Sequence, residues 1–542
     1  MKKYIIYLLV AMTLVGCEST PADILQAEPD YATITLSSPS VIIAEEGGQK
    51  TLFVGTNRTE LEALYEADWL DVSVEGAAIT LFVDANPTGQ SRQAVVDVVA
   101  GDRPDVAKAR LRVVQKGEGT VDLSAEATAN CYMATTGSSY LFDASIKGNG
   151  AGDGRSNYIA RYGVEIEGAA YASLAWEATY DGDKTRSTKI IEGEPVYIAE
   201  ERAIYFATGE SEGNALVTLH NASGEILWSW HIWVSNQEVT TSMANDLEWM
   251  DRNLGALSNN VGDIANRGML YQWGRKEPFL PSPVEYQEVP IHRYDENYNL
   301  LESEEEYYAI QAEIEAARVV MNVNNYQTGN GEMEWEYVGH LAPVALTAPG
   351  NIDYALQHPT TVLSCRDDIA IGEYVFDWFL VMDLEGAGAT MQQADSELWG
   401  SGNAGTDYKT IFDPCPVGYV MPPKGAFSTL PDGYACTYVS DEWQVSDYGW
   451  EWAGGNGDYF PSSGNLDVSG LIGETSEKML YWSAETMGSG SQGFGKAATL
   501  FVAYNDVYYG VYPLMDPAEG ASWYSYGARC FAASVRCVRE QK

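Results

Sequence analysis

The sequence predicts a multidomain, mainly β chain: two consecutive β-sandwich modules and then a larger, loop-rich domain. Three observations carry this. Short β-branched runs separated by turn residues fill residues 31–118. A second β-rich stretch, residues 121–240, ends in a strand that is apolar on both alternating faces. From about Met243 to the C-terminus, residues 243–542, the composition shifts to Gly, Trp and Tyr. With 45% hydrophobic residues in 542, the chain has material for several packed cores, so its charge imbalance does not signal disorder.

That imbalance is large, 32 Lys+Arg against 77 Asp+Glu, or 32 − 77 = −45. Nucleic acid and anionic membrane surfaces bind through basic residues that neutralise phosphate, so both are excluded as expected partners.

Residues 1–16 read as an export signal: Lys2 and Lys3, an apolar run from Tyr4 to Val15, then Leu14-Val15-Gly16 before Cys17. The run is short of the ~20 residues needed to span a bilayer. This pattern resembles the bacterial lipoprotein signal, which implies lipidation of Cys17 and membrane attachment through that lipid alone. Residues 17–30 then form a linker. Six cysteines follow Cys17 out of the seven in the chain, an even number that permits three disulfides in an exported protein.

In residues 31–118 the expected strands are Thr33–Leu36, Val41–Ile43, Thr51–Thr56, Asp71–Val74, Ile79–Val83, Ala94–Val99 and Arg110–Val114, the spacing of a small antiparallel sandwich. Through Trp69-Leu70, Asn86, Arg92 and Val113-Val114-Gln115 the segment resembles the BACON domain, an immunoglobulin-like module of Bacteroidetes surface proteins. The resemblance implies either carbohydrate binding or a spacer that lifts the rest of the chain off the membrane.

In residues 121–240 strands are expected at Ala203–Ala207, Ala215–His220 and Ile226–Val234, with Asn221-Ala222-Ser223-Gly224 as a hairpin turn between the last two. Apolar residues on both faces of Ile226–Val234 mark a strand covered on both sides, which makes Trp228, Trp230 and Trp233 core residues and His231 a hydrogen-bonded core histidine.

In residues 243–542 five segments occur in order: Glu248–Ala256, Tyr271–Lys276, Asp413–Tyr419, Tyr481-Trp482-Ser483 and Ser534–Val538. Their order resembles the Fibrobacter succinogenes major paralogous domain. The resemblance implies a C-type-lectin-like α+β fold, enlarged here by an insertion at about 281–330. By analogy with that fold, whose ends lie close together, Cys415 is expected to pair with Cys537, and Cys436 with Cys530 is the second choice.

Within the insertion, Asp295, Asn297, Asn299 and Glu306 fall at the first, third, fifth and twelfth positions of an EF-hand-like loop, so Ca2+ is the one cofactor the residues suggest. Leu300 stands where the sharp turn needs Gly, and three prolines from Pro281 to Pro290 oppose an entering helix, which favours a solvated hairpin tip. Tyr504-Asn505-Asp506 lacks the partner triplet of calcium-dependent lectins and reads as a turn.

Trp443, Tyr448, Trp450 and Trp452 crowd a Gly-rich stretch beside Asp441, Glu442, Asp447 and Glu451. Flat aromatic faces suit stacking on a pyranose while carboxylates accept its hydroxyl protons, and the alternative is that these rings are core. The chain has five histidines and no His-Glu-x-x-His or Gly-x-Ser-x-Gly motif, so no catalytic constellation emerges. The expected function is a lipid-anchored protein of the outer membrane, facing the cell exterior, that binds glycans or surface proteins. A pilus-associated or fimbrial-tip component and an enzyme of unknown type are the alternatives.

Overall fold

The computed structural model describes residues 31–151, 162–181, 184–186, 189–244, 246–260 and 263–281, then shorter stretches, chiefly 348–360, 398–400, 409–423, 459–461, 463–466, 478–486, 496–505, 524–529 and 531–541. Strand dominates it, in an all-β multidomain arrangement.

The first module comprises β1 (Ile34–Leu36), β2 (Ser40–Ile43), β3 (Gly48–Thr56), β4 (Leu61–Leu64), β5 (Leu70–Glu75), β6 (Ala78–Val83), β7 (Arg92–Ala100) and β8 (Ala107–Gln115). They form two four-stranded sheets, ordered β1-β3-β6-β5 and β2-β8-β7-β4. Side chains alternate across each strand, so Leu52, Val54, Ile79 and Leu81 of one sheet meet Val96, Val98, Leu111 and Val113 of the other in a dry core. All seven expected strands are present. One strand is not among those expected, and one pairing departs from the antiparallel pattern. Leu61-Glu62-Ala63-Leu64 reads as helix former yet pairs with β7 as an edge strand, where cross-strand contact overrides intrinsic preference. β2 runs parallel to β8, because the chain leaves the first sheet after Ser37 and joins the second at Pro39, whose carbonyl accepts the Arg112 N–H.

Trp69, Asn86, Arg92 and Gln115 converge at one end of this sandwich. The Arg92 guanidinium lies 4.5 Å from the centroid of the Trp69 ring and donates to Gln115 Oε1 at 2.8 Å. Gln115 Nε2 donates to the Asp84 carbonyl, and Asn86 Nδ2 to those of Gln90 and Lys116. Buried amides thus satisfy main-chain carbonyls where the strands end.

The middle module comprises β9 (Val121–Asp122), β10 (Cys131–Ala134), β11 (Ser139–Asp143), β12 (Ala169–Asp181), β13 (Lys184–Arg186), β14 (Ile191–Ile198), β15 (Ala203–Thr208), β16 (Gly213–Asn221) and β17 (Ile226–Val234). Its sheets are ordered β10-β17-β16-β12-β13 and β14-β15-β11-β9. The Asn221–Gly224 turn joins β16 to β17 as expected, with Gly224 at φ +91°. Trp228, Trp230, His231 and Trp233 are all buried.

A mixed seam joins the two modules. Val114 and Ile42 of the first meet Val196, Ile198, Tyr205 and Leu141 of the middle one. Around them Arg112 pairs with Glu194, Lys50 with Glu200, and Lys116 with Glu201. The basic side chains of the first module thus face acids of the second.

The middle module and the C-terminal region share one continuous hydrophobic cluster, running from Cys131 through Trp228 and Trp230 to Trp273, Trp399, Trp482 and Cys537. Asn130 Nδ2 donates to the carbonyls of Ile411 and Asp413 at 2.6 and 2.8 Å, while its Oδ1 accepts Trp228 Nε1–H. Gly148, at φ +51°, lies so close to Ile411 that a Cβ there would sit 2.4 Å from that residue's carbonyl oxygen. In the C-terminal region β18 (Thr241–Ala244) and β19 (Leu247–Met250) form a hairpin, β19 pairs with Val538–Arg539, and that strand pairs with Tyr419–Val420. β20 (Leu270–Gln272) pairs with Ala532–Ser534, which joins the larger sheet containing Lys478–Thr486 and Lys496–Asn505. The helix Ala348–Gln357 seats Ile352, Ala355 and Leu356 in the shared core. Among the described residues no helix is long and apolar enough to cross a membrane.

Candidate functional site

The five ordered sequence segments build the frame of the C-terminal region. Asn253 of the first donates through Nδ2 to Tyr481 Oη of the fourth at 2.9 Å and accepts Arg536 Nε–H of the fifth at 3.1 Å. Trp273 Nε1 donates to the Ser483 carbonyl, and Trp482 Nε1 returns the contact to that of Tyr271. Cys415 and Cys537 are joined by a disulfide, the pairing the lectin-like resemblance implies, and the Cys537 carbonyl accepts Met250 N–H.

Three sets of buried charges inside this frame are internally matched. Arg252 is buried, grips both oxygens of Asp251 at 2.8 and 2.9 Å and reaches Gln237 and the Glu238 carbonyl. Burial pushes the Asp251 carboxyl up, but Arg252 and Thr240 outweigh it and hold it below the usual carboxylate range. Lys276 donates to Ser229 Oγ at 2.6 Å, to the Ser229 carbonyl and to Glu277 Oε1 at 2.7 Å, with its ammonium 4.4 Å from the Trp228 ring centroid. Arg275 bonds the other Glu277 oxygen at 3.1 Å. Burial drives the Lys276 ammonium down and opposes ionisation of Glu277, whose two cationic neighbours nonetheless keep its carboxyl below its ordinary value. Lys409 completes the set: its ammonium is ringed by Asp413 and the carbonyls of Cys415, Pro416 and Tyr419. Fully engaged groups of this kind fix loop geometry.

One described strand of the aromatic stretch is tied to this frame. Gly449–Glu451 pairs with Tyr459–Pro461, placing Trp450 opposite Phe460 in register. Phe460 is buried between Trp249 and Tyr481, with the Arg536 guanidinium 3.9 Å from its ring centroid. Trp443, Tyr448 and Trp452, the side chain of Trp450, the loop residues Asp295, Asn297, Asn299 and Glu306, and Cys17 lie outside the described residues. Among the described residues no cluster of three or more His, Cys, Asp or Glu side chains is placed to hold a metal ion.

Sequence reasoning missed a cleft of about 540 Å³ between the middle module and the helix Ala348–Gln357. Its floor is Ile226, Leu227 and Leu356. On its wall Tyr162 Oη donates to Asp353 Oδ2 at 2.6 Å, and the nearly buried Lys147 donates to the Gly163 carbonyl at 3.2 Å. Burial pushes the Lys147 ammonium down and Asp353 partly restores it. Tyr162 is 38% exposed, a large aromatic left open to solvent at a concave edge. The cleft unites residues about 190 positions apart in the chain, a juxtaposition without a sequence motif.

A serine–histidine contact occurs on β12 and β16, where Ser173 Oγ lies 2.8 Å from His220 Nε2. Thr218 Oγ1 shares that nitrogen at 2.9 Å, and the Tyr171 ring stacks on the imidazole at 4.7 Å. With Nδ1–H directed at the Gly224 carbonyl, Nε2 is an acceptor with one lone pair, so one hydroxyl donates to it while the other, 2.9 Å away, can donate to that hydroxyl, an arrangement that braces the sheet face.

A comparison with protein families finds no match, and a comparison with curated proteins finds none. Among solved structures, the chain is similar to a protein from Bacteroides thetaiotaomicron determined by NMR, 21% identical over 19% of this chain and 98% of that one, with a TM-score of 0.13. It is similar to titin domain M7 (8% identical, 17% of this chain, 100% of that one, TM-score 0.14) and to the YadV chaperone (11%, 36%, 98%, TM-score 0.16). At TM-scores of this size the likenesses carry no argument about function.

Proposed function

We propose that the protein is a lipid-anchored binding or adhesion protein of the outer cell surface that recognises carbohydrate through its C-terminal region. The observation that carries this reading is the pairing of one strand of the Trp-rich stretch: the strand containing Trp450 is paired to one whose Phe460 is locked into the buried Asn253–Tyr481–Arg536 frame. A rigid support suits a stacking platform, because little side-chain or loop entropy is then lost on binding. In this reading Cys17 carries the anchor, the BACON-like first module is a spacer, and the lectin-like C-terminal region faces outward. The chain charge of −45 favours ligands without acidic groups.

A glycan array probed with the full chain tests the reading. Binding to a defined set of structures supports it, and a blank array at high micromolar protein defeats it.

A further inference from the structure

We propose that the cleft between β17 and the helix Ala348–Gln357 is a second saccharide subsite, taking about one or two uncharged pyranose rings. This rests on the carbohydrate reading above and deepens it. A volume of about 540 Å³ lies within the range of small-molecule sites, roughly 300–1,000 Å³. The lining combines the two elements that recognition of a sugar ring requires. Ile226, Leu227 and Leu356 offer an apolar floor for the C–H face of a pyranose. The ammonium of Lys147, the phenol of Tyr162 and the carboxylate of Asp353 set donors and acceptors along one wall for its hydroxyls.

Charge selects among sugars. Among the described lining residues Lys147 stands against Glu165, Glu167 and Asp353, a sum of 1 − 3 = −2. Glu165 and Glu167 are exposed at the rim and flank the buried Ile166. A sialate, uronate or sulfate meets repulsion there, whereas a neutral or amino-substituted ring does not. Ile226 and Leu227 come from the middle module and Leu356 and Asp353 from the helix, so the subsite exists only while the middle module and the C-terminal region remain packed together.

The test is calorimetry and saturation-transfer NMR on the full chain, using lactose, chitobiose and mannobiose as neutral probes and sialyllactose and glucuronate as anionic ones. Saturation transfer from a neutral probe should survive in the Trp443→Ala/Trp450→Ala/Trp452→Ala variant. In that background Tyr162→Phe with Asp353→Asn should weaken binding at least about tenfold. Gln357→Trp, at an exposed position on the rim, should abolish it without changing the melting temperature. Glu165→Lys with Glu167→Lys should admit sialyllactose.

Neutral binding that is indifferent to the cleft substitutions, or wild-type binding of sialyllactose equal to that of lactose, overturns the subsite. If the tryptophan variant loses all binding, the subsite falls while the carbohydrate reading stands. If the wild-type chain binds no saccharide at all, both fall.

Discussion

The side-chain amide of Asn130 donates to the carbonyl of Asp413 at 2.8 Å, across 283 positions of sequence, and so stitches the middle module to the C-terminal region. The same side chain serves the Ile411 carbonyl and Trp228 Nε1–H, all in a dry environment. Asn130→Leu strands three polar groups at once, each costing about 1–3 kcal/mol. The expected result is a loss of at least about 2 kcal/mol in chemical denaturation, with the tryptophan signals of Trp228 and Trp273 lost in one transition. Two separated transitions in the wild-type chain would contradict the shared core.

His231 predicts a pH dependence. Its Nε2–H donates to Asn214 Oδ1, since Asn214 Nδ2 is spent on the Gly255 carbonyl, and its Nδ1 accepts the Tyr271 hydroxyl. Burial lowers its pKa to about 3 from the ordinary 6.5. Between those values the unfolded chain binds a proton that the folded chain refuses, so this contribution is complete above about pH 6.5 and is lost as the pH falls toward 3. The expected loss is roughly 3–5 kcal/mol over that interval. Denaturation midpoints measured from pH 7 to pH 4 should fall less steeply in His231→Gln than in wild type.

Glu277 is the common partner of Arg275 and Lys276. Glu277→Gln leaves two buried cations against one neutral amide and should cost about 3–5 kcal/mol. Replacing the pair, Lys276→Met with Glu277→Gln, should recover part of that loss, as a double-mutant cycle in urea would show. Equal losses for the single and double variants would mean the ion pair is not what stabilises this turn.

Cysteine chemistry separates two environments. The Cys415–Cys537 bond closes a loop with a sequence separation of 122, so its reduction should cost about 2–5 kcal/mol. Cys131 is buried as a free thiol, and burial pushes its pKa far above the ordinary value despite the nearby Lys409 charge. Mass spectrometry after iodoacetamide treatment should find Cys131 unlabelled in the native chain and labelled once it unfolds.

Much of the fold was legible in the residues because burial imposes a period. Alternation at Leu52, Val54, Ile79 and Leu81 marks strands, and the run from Ile226 to Val234 marks one covered on both faces, with Trp228, Trp230 and Trp233 inside as expected. The edge strand Leu61–Leu64 escaped notice because its residues prefer helix and only its neighbour makes it a strand. The five ordered C-terminal segments proved to be supports, with Asn253, Tyr481 and Arg536 meeting at the centre. Residues repeated for framework reasons advertise a fold, whereas the Tyr162–Asp353 cleft is assembled by packing and leaves no local signal.

The central claim, carbohydrate recognition by the Trp-rich stretch whose Trp450 strand pairs with that frame, is tested most directly by isothermal titration of the full chain with the strongest glycan identified on the array. The wild-type chain should bind it saturably, and the Trp443→Ala/Trp450→Ala/Trp452→Ala variant, its melting temperature unchanged, should bind at least about tenfold more weakly. Undiminished affinity in that variant, or no heat of binding for any glycan, would contradict the account.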